Sequence, residues 1–436
     1  MKSLPSKTSF GPDEVSYRLL KEAGPGVVGP LTSLFNLSLN VKAVPDEWKK
    51  AIISPIFKGG RKDRQDPSSY RPISLTSCVA RTMEKLINGQ ILKYLSSNSL
   101  LYQHQSGFLP KHSTVTQLCY LAHQWQMALE RGEEVHTVFL DLSKACDRVS
   151  IPGLLFKLAS LGFTNETLEW FTSFLSNREQ SVRVDGSLSL PQIPKSGIPQ
   201  GTVLGPVLFL AYINDLPGSI SGECSIFADD TSVYKSGQAS HVLCSEISQD
   251  MSSAANWATI WGMLFNAEKS EHLMITRKKN PSKPYILMDC KQIPQVKHHK
   301  HLGIYFNETL SWDYHIDKVY TSCAQRIGMI RRLRRRFPSA VLKKIFVGAV
   351  QPKLEYACAV WSGGPTQKLL KLHAGFSRQN GTTLQPLQKR FDYHTLVMFY
   401  KIHSQNAPPY LVSLLPPLDF KLWLYLQETI VQVSSS

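Results

Sequence analysis

The spacing of apolar residues divides the chain into alternating helical and strand-like stretches, with no internal repeat. From Asp13 to about Val44 the positions Val15, Leu19, Leu20, Leu31, Leu34, Phe35 and Leu39 fall at helical intervals, broken by Gly24-Pro25-Gly26, which predicts two helices and a turn. "WKKAIISPIFKGG" switches to a strand-like run and "GGRKDRQDPSSYRP" reads as a basic, turn-rich loop; helices follow over about 77–95 and 113–131. In "EVHTVFLDLSKACDRV" the run Val138-Phe139-Leu140 predicts a buried strand that ends at Asp141. Helical spacing near 153–175 precedes a hairpin in "SVRVDGSLSL", a Gly/Pro-rich turn, and a helix with Pro206 near its first position. That helix is apolar nearly all round and is expected to be buried.

The stretch "SIFADDTSVY" reads as two short strands joined at Asp229-Asp230 and Thr231, residues with acceptable turn chemistry. Residues 240–264 are helical in pattern, and "SEHLMITRK", "YILMDCKQI" and "HHKHLGIYFN" read as short strands. Beyond Asp313 the chain becomes helical and basic, with "RIGMIRRLRRRF" its densest positive run. From about Gly363 only "DYHTLVMFYKIH" shows clear periodicity, and the tail "LDFKLWLYLQETIVQVSSS" resembles nothing identifiable.

Charge sharpens this picture. The 436 residues suffice for two or three compact units. Lys plus Arg number 49 against 33 acidic residues, a net charge of +16, which favours a polyanionic partner, with nucleic acid foremost. The eight cysteines show no C-x-x-C pair and no Cys/His ligand spacing, so they read as reduced core thiols of an intracellular protein. No apolar signal core opens the chain, and no window reaches the ~18 apolar residues of a membrane span. The expected location is nucleus or cytoplasm, without secretion or membrane insertion.

Two adjacent aspartates at a strand corner have two readings. One is a solvated acidic hairpin tip. The other is a metal site completed by a third carboxylate, for which Asp141, also at a strand end, is the candidate. Three carboxylates within ~4 Å of one another repel by roughly 4 kcal/mol per pair at an effective dielectric of 20, and so call for cations. All-oxygen ligands suit Mg²⁺ or Mn²⁺ and not zinc. Two such ions ~3.5–4 Å apart serve in-line phosphoryl transfer.

At this point the wording becomes specific. "VFLDLSKACDRV", "SGIPQGTVLGPVLF" and "FADDTSVY" resemble, in this order, conserved blocks of the reverse transcriptases of non-LTR, LINE-like retrotransposons. The likeness extends through "IISPIFKGG", "YRPISLTSCVARTMEKLI", "SGFLPKHSTVTQL", "NAEKSEHLMI", "HLGIYFNETLSWDYHI" and "LEYACAVW", covering roughly residues 45–361. The resemblance implies an α+β right-hand polymerase: an N-terminal helical extension (1–47), fingers (48–134), a palm with an antiparallel sheet (135–305, of which 150–195 borders the fingers) and a helical thumb (306–361). Residues 362–436 have no assigned structure.

The same resemblance implies RNA-directed DNA synthesis with an RNA template, a DNA primer, dNTPs and Mg²⁺, in a chain of unassigned oligomeric state. Asp141, Asp229 and Asp230 would be the metal-binding triad, the first two bridging the ions. Lys58 and Arg71 would meet the incoming triphosphate. Gln200-Gly201 would form the turn beside the nascent base pair, with glycine allowing close backbone approach. Lys269 would donate a proton to departing pyrophosphate. Asp147 is left outside the triad, as a local cap or pair. "RIGMIRRLRRRF" would track the template-primer backbone, or act as a nuclear-import signal or a solvated basic face.

Two positions depart from the family pattern. Cys146 replaces the usual Phe beneath the sugar, which predicts looser rejection of ribonucleotides. Leu109 replaces the Arg of the "GFR" block, removing one cation. No nuclease-like domain precedes the polymerase blocks and no Cys/His knuckle follows them, so the chain reads as a fragment of an element's reading frame. The rival functional readings are a catalytically decayed copy that still binds RNA or DNA, and another polymerase of the same fold, such as an intron maturase or telomerase.

Overall fold

The computed structural model describes residues 4–60, 62–282 and 284–415. The tail "LDFKLWLYLQETIVQVSSS" lies outside them. The described chain is α+β, as expected, and divides into two compact units.

The first unit comprises residues 1–102, 142–219 and 254–265. Helices Tyr17–Glu22 and Val28–Asn40 flank the Gly24–Val27 turn. Strand Lys50–Phe57 is central in a four-stranded sheet, antiparallel to Tyr70–Leu75 and parallel to Glu179–Val184, which pairs in turn with Ser187–Leu188. The expected hairpin closes at Asp185-Gly186, both at positive φ, as a two-residue turn between right-twisted strands requires. Helix Cys78–Ser97 starts where the Ser77 hydroxyl accepts from the Ala80 N–H. Helix Gly205–Ile213 is buried over nearly its whole length. The Thr202 hydroxyl just before it accepts from the Gly205 N–H (3.2 Å), and the buried Glu84 carboxylate of another helix accepts from the two residues that lead into it, Val203 (2.6 Å) and Leu204 (3.1 Å).

The second unit comprises, among the described residues, 103–141, 220–253 and 266–415 without 283. Its five-stranded sheet runs in the order Gln295–Val296, Glu271–Ile275, Glu134–Leu140, Asp230–Gly237, Glu223–Phe227. All seven residues of Glu134–Leu140 are buried: the strand pairs antiparallel on both edges, Trp125 packs on Phe139 on one face, and Ser240 and Cys244 meet His136 on the other. Helix Thr114–Glu130 opens on a capping box between Ser113 and Thr116 and presses Trp125 edge-on against Phe139, Tyr234 and Phe306. Beyond the sheet, helix Asp313–Leu333 buries Ile316, Val319, Cys323, Ile327 and Ile330 in the core. Arg331, Arg332, Arg334, Arg335 and Arg336 face solvent. The weakly patterned segment after 363 is helical too, over Gln367–Asn380, Leu387–His403 and Pro409–Val412, and its Phe376, Phe391 and Leu411 belong to the same core.

Three local readings differ from the sequence expectation. "YILMDCKQI" is a hairpin, Leu287–Met288 against Lys291–Gln292, turning at Asp289-Cys290. "HHKHLGIYFN" is a hairpin of His298–His301 against Ile304–Asn307, turning at Leu302-Gly303. The cysteines form no disulfide among the described residues, as expected, but Cys290 is exposed and Cys119 and Cys146 are half-buried, so not all are core thiols. No helix among the described residues is long and apolar enough to cross a membrane.

Candidate active site

The acidic corner is built by strand pairing. Leu140 pairs with Thr231 at the end of the central ladder, so Asp141 leaves its strand where Asp230 begins the neighbouring one. Phe227 pairs with Asp230, which confines the turn to Ala228-Asp229. The turn is thus one residue earlier than the sequence suggests: Asp230 is a strand residue, and Ala228 takes the left-handed conformation (φ 57°) usually left to glycine or asparagine. The register decides this, since Ile226 opposite Thr231 keeps both side chains buried.

The three carboxylates that sequence order alone brought under suspicion therefore meet in the second unit. Their meeting has an electrostatic signature. Asp230 keeps solvent contact, yet partial burial, then the charge of Asp229, then that of Asp141, raise its carboxyl to about 6. Asp141 and Asp230 line a cleft of about 120 Å³ together with Lys269, His299, Lys300 and His301. Lys269 reaches it because Asn266 N–H donates to the Asp141 carbonyl (3.0 Å), tying the start of the 271–275 strand to the end of the 134–140 strand. The Asp141 N–H in turn donates to Ser270 Oγ (3.2 Å). His299 and Lys300 were not singled out by sequence; the signal was their place in a strand register beside the acids. His299 lies flat on Phe139 at 3.6 Å and bonds Glu271 (2.6 Å).

The remaining candidates lie in the first unit. Lys58 and Arg71 emerge exposed at the same end of the 50–57/70–75 ribbon, where Ile56 pairs with Arg71 and Lys58 N–H donates to Ser69. Lys58 Nζ donates to the Ser68 carbonyl at 2.7 Å. Gln200 and Cys146 belong to one wall. Ile198 N–H donates to the Cys146 carbonyl (2.9 Å), Gly197 N–H to Val149 (2.9 Å), and Gln200 Nε2 to Asp147 Oδ1 (2.6 Å). Asp147, set aside as a local pair, is thus the partner of Gln200, 53 residues away. Both line a cavity of about 340 Å³ that also includes Ser74, Arg178, Gln180 and Gly197. Gly201 (φ 87°) is required by a close approach inside the protein, since a Cβ there would sit 2.5 Å from the Ser74 carbonyl oxygen.

One grouping was invisible to residue spacing. His136, Cys244 and His272, all buried, bring their ligand atoms within 4.8 Å of one another. His136 Nδ1 is 3.1 Å from His272 Nε2 and 3.3 Å from Cys244 Sγ, and its Nε2 is 3.1 Å from Ser240 Oγ. Burial lowers both histidines and raises the Cys244 thiol to about 12, so neutral groups share the hydrogen bonds of His136 and cross-link two strands with a helix.

Comparison with known proteins gives the family. Residues 58–309, more than half of the chain, match the family "Reverse transcriptase (RNA-dependent DNA polymerase)". Among curated relatives, the "Probable RNA-directed DNA polymerase from transposon BS" of Drosophila melanogaster is 31% identical over 373 residues, 83% of this chain and 41% of the relative. The "RNA-directed DNA polymerase from mobile element jockey" of the same fly is 29% identical over 380 residues, 85% of this chain and 41% of the relative. The chain spans about two-fifths of the length of these relatives. A solved apo telomerase from Candida tropicalis, truncated from its C-terminal domain, superposes with a TM-score of 0.44 at 13% identity, covering 66% of this chain and 59% of that one. On the family match over residues that include all three aspartates, the chain belongs to the reverse transcriptase (RNA-dependent DNA polymerase) family, whose right-hand polymerase fold accommodates its α+β elements.

Proposed function

We propose that this chain is the polymerase part of a non-LTR retrotransposon reverse transcriptase, adding dNTPs to the 3′-hydroxyl of a DNA primer on an RNA template. The observation that carries the reading is the convergence of Asp141, Asp229 and Asp230 at one end of a single sheet. The family's chemistry uses divalent metal ions, and this donor set fits them. Burial, and after it the charges of Asp229 and Asp141, raise the Asp230 carboxyl, and a hard dication bound through oxygen ligands would offset both the desolvation and the repulsion. In our reading Asp141 and Asp229 hold two Mg²⁺, with Mn²⁺ as a substitute, and Asp230 shapes the site. Held there, such ions would supply a more acidic primer hydroxyl and charge compensation on the α-phosphate and leaving oxygens.

The other roles belong to this chain's own groups. Lys58 and Arg71 offset charge on the triphosphate, and Lys269 delivers a proton to pyrophosphate. Gln200, held by Asp147, presents its amide to the nascent pair, while Cys146 leaves space beneath the sugar. The exposed arginines at 331–336 meet the phosphates of the template-primer duplex.

Primer extension tests the reading. The purified chain is given an RNA template, a DNA primer, dNTPs and Mg²⁺, beside Asp229→Ala. Extension by the parent and its loss by at least ~10³-fold in the variant are expected, since charge compensation at the reacting phosphate is removed. Equal template-primer binding with no extension by either protein overturns it in favour of a decayed copy that only binds nucleic acid.

A further inference from the structure

We propose that Gln105 is a positioning residue that holds the strained Ala228-Asp229 turn, and through it the two adjacent aspartates, in register with Asp141. The inference rests on the polymerase reading above, because that reading is what gives the turn a chemical task.

The turn does not hold itself. A two-residue hairpin loop demands positive φ, and here the demand falls on Ala228, whose Cβ disfavours that conformation. Gln105, only 2% exposed, turns its side-chain carbonyl to this point. Its Oε1 accepts from the Ala228 N–H (3.2 Å) and from the Gly107 N–H (2.8 Å). Neither N–H finds a place in the β ladder, so the glutamine satisfies two donors that the turn geometry orphans.

The backbone around Gln105 is fastened to the same strand. Ser106 N–H donates to the Ile226 carbonyl (2.8 Å) and Ile226 N–H to the His104 carbonyl (3.1 Å), a single parallel bridge of Gln105 to Ile226 on the 223–227 edge. Gly107 then passes so close that a Cβ would sit 2.5 Å from the Ala228 nitrogen. On its far side the segment is seated by the C-terminal helices. Ser106 Oγ lies 2.7 Å from Tyr410 Oη, and Lys111 Nζ donates to the Gln405 carbonyl (3.1 Å). A line of direct contacts thus runs from Tyr410 through Ser106 and Gln105 to the peptide next to the acidic pair. Gln105 touches no carboxylate; it acts through the Ala228 backbone.

The test compares the parent chain with Gln105→Met, which keeps length and removes the acceptor, and with Gln105→Met combined with Ala228→Gly, where glycine takes positive φ unaided. Expected for Gln105→Met are an Ala228 N–H that exchanges with solvent at least ~10-fold faster, a kcat on the order of tenfold lower and a lowered melting temperature, since two buried N–H groups lose their acceptor, with primer-template Kd and dNTP KM unchanged. Restoration of most of the kcat by Ala228→Gly is the signature of a turn-holding role, which general loosening of the core does not give. Tyr410→Phe, which removes a hydroxyl only, serves if Gln105→Met does not fold, and a smaller change in the same direction is expected. Unchanged exchange at Ala228, or a kcat that falls and is not restored by Ala228→Gly, overturns the proposal. Should the parent itself extend no primer, the polymerase reading fails, and Ala228 exchange alone decides whether Gln105 holds the turn.

Discussion

Asp147 shows what a single side chain discloses only in three dimensions. In sequence it is one more acid near a strand end, and local pairing is its reasonable reading; in the fold it accepts from Gln200 Nε2 at 2.6 Å and sets the direction of the amide. Asp147→Ala is expected to raise dNTP KM about tenfold with a smaller change in kcat, the pattern of a lost binding contact, measured by steady-state primer extension. An equal fall in kcat with KM unchanged overturns that assignment. Cys146 shares the wall through its carbonyl bond to Ile198. If Cys146 lies beneath the sugar as proposed, Cys146→Phe adds bulk there and is expected to lower ribonucleotide incorporation relative to deoxynucleotide; indistinguishable discrimination by the two proteins removes Cys146 from that role. The acidic residues were legible because strand ends and block order mark them. Gln105 and Asp147 were not, since their partners are a backbone N–H and an amide far along the chain, and no local spacing encodes either.

Elements with long, one-period patterns were legible, as were hairpins marked by a turn dipeptide such as Asp185-Gly186, but two tight hairpins without such a mark were not. Residues 285–293 and 298–307 each look like one strand because each carries apolar residues and no Asn-Gly or Asp-Gly pair to mark a turn between them. The missed signal is phase. Buried residues switch from Ile286 and Met288 to Ile293, and from His301 to Ile304 and Phe306, as a two-residue loop between paired strands requires. Nor could sequence announce the partner of the buried 205–213 helix. Its apolar surface predicted burial but left its N-terminal donors unaccounted for, and Glu84, an interior acid on another helix, answers them. Its carboxyl is raised by burial, which these backbone donors and Arg178 and Arg81 oppose. Glu84→Ala leaves two N–H groups without an acceptor and is expected to cost about 2–3 kcal/mol in denaturant unfolding, with Glu84→Gln, which keeps one carbonyl, losing less. Equal losses in the two variants refute the cap.

At the scale of the whole molecule the net charge of +16 speaks for a polyanionic partner, but the histidines divide the chain more sharply. All 13 lie in the second unit, and the first has none. Several are buried as neutral imidazoles: desolvation brings His112 and His315 from 6.5 to about 4 and His301 to about 3, while His136 and His272 are lowered together. A depressed folded-state value means that the unfolded chain binds the proton first. Stability is therefore complete above about pH 6.5 and falls as the pH drops from there toward the folded-state values, by up to about 1.4 kcal/mol per pH unit for each such histidine. Because these groups sit in one unit, acidification should unfold the aspartate-bearing sheet and its helices while the unit built on the 50–57 sheet persists. Hydrogen exchange between pH 7.5 and 5.5, corrected for the intrinsic rate, checks this. Protection is expected to fall across residues 103–141 and 266–415 and to hold across 142–219, with His301→Gln and His315→Gln each flattening the pH slope of unfolding by about one proton. Uniform loss of protection in both units, or a pH slope that neither substitution changes, means that the buried imidazoles do not set the acid response.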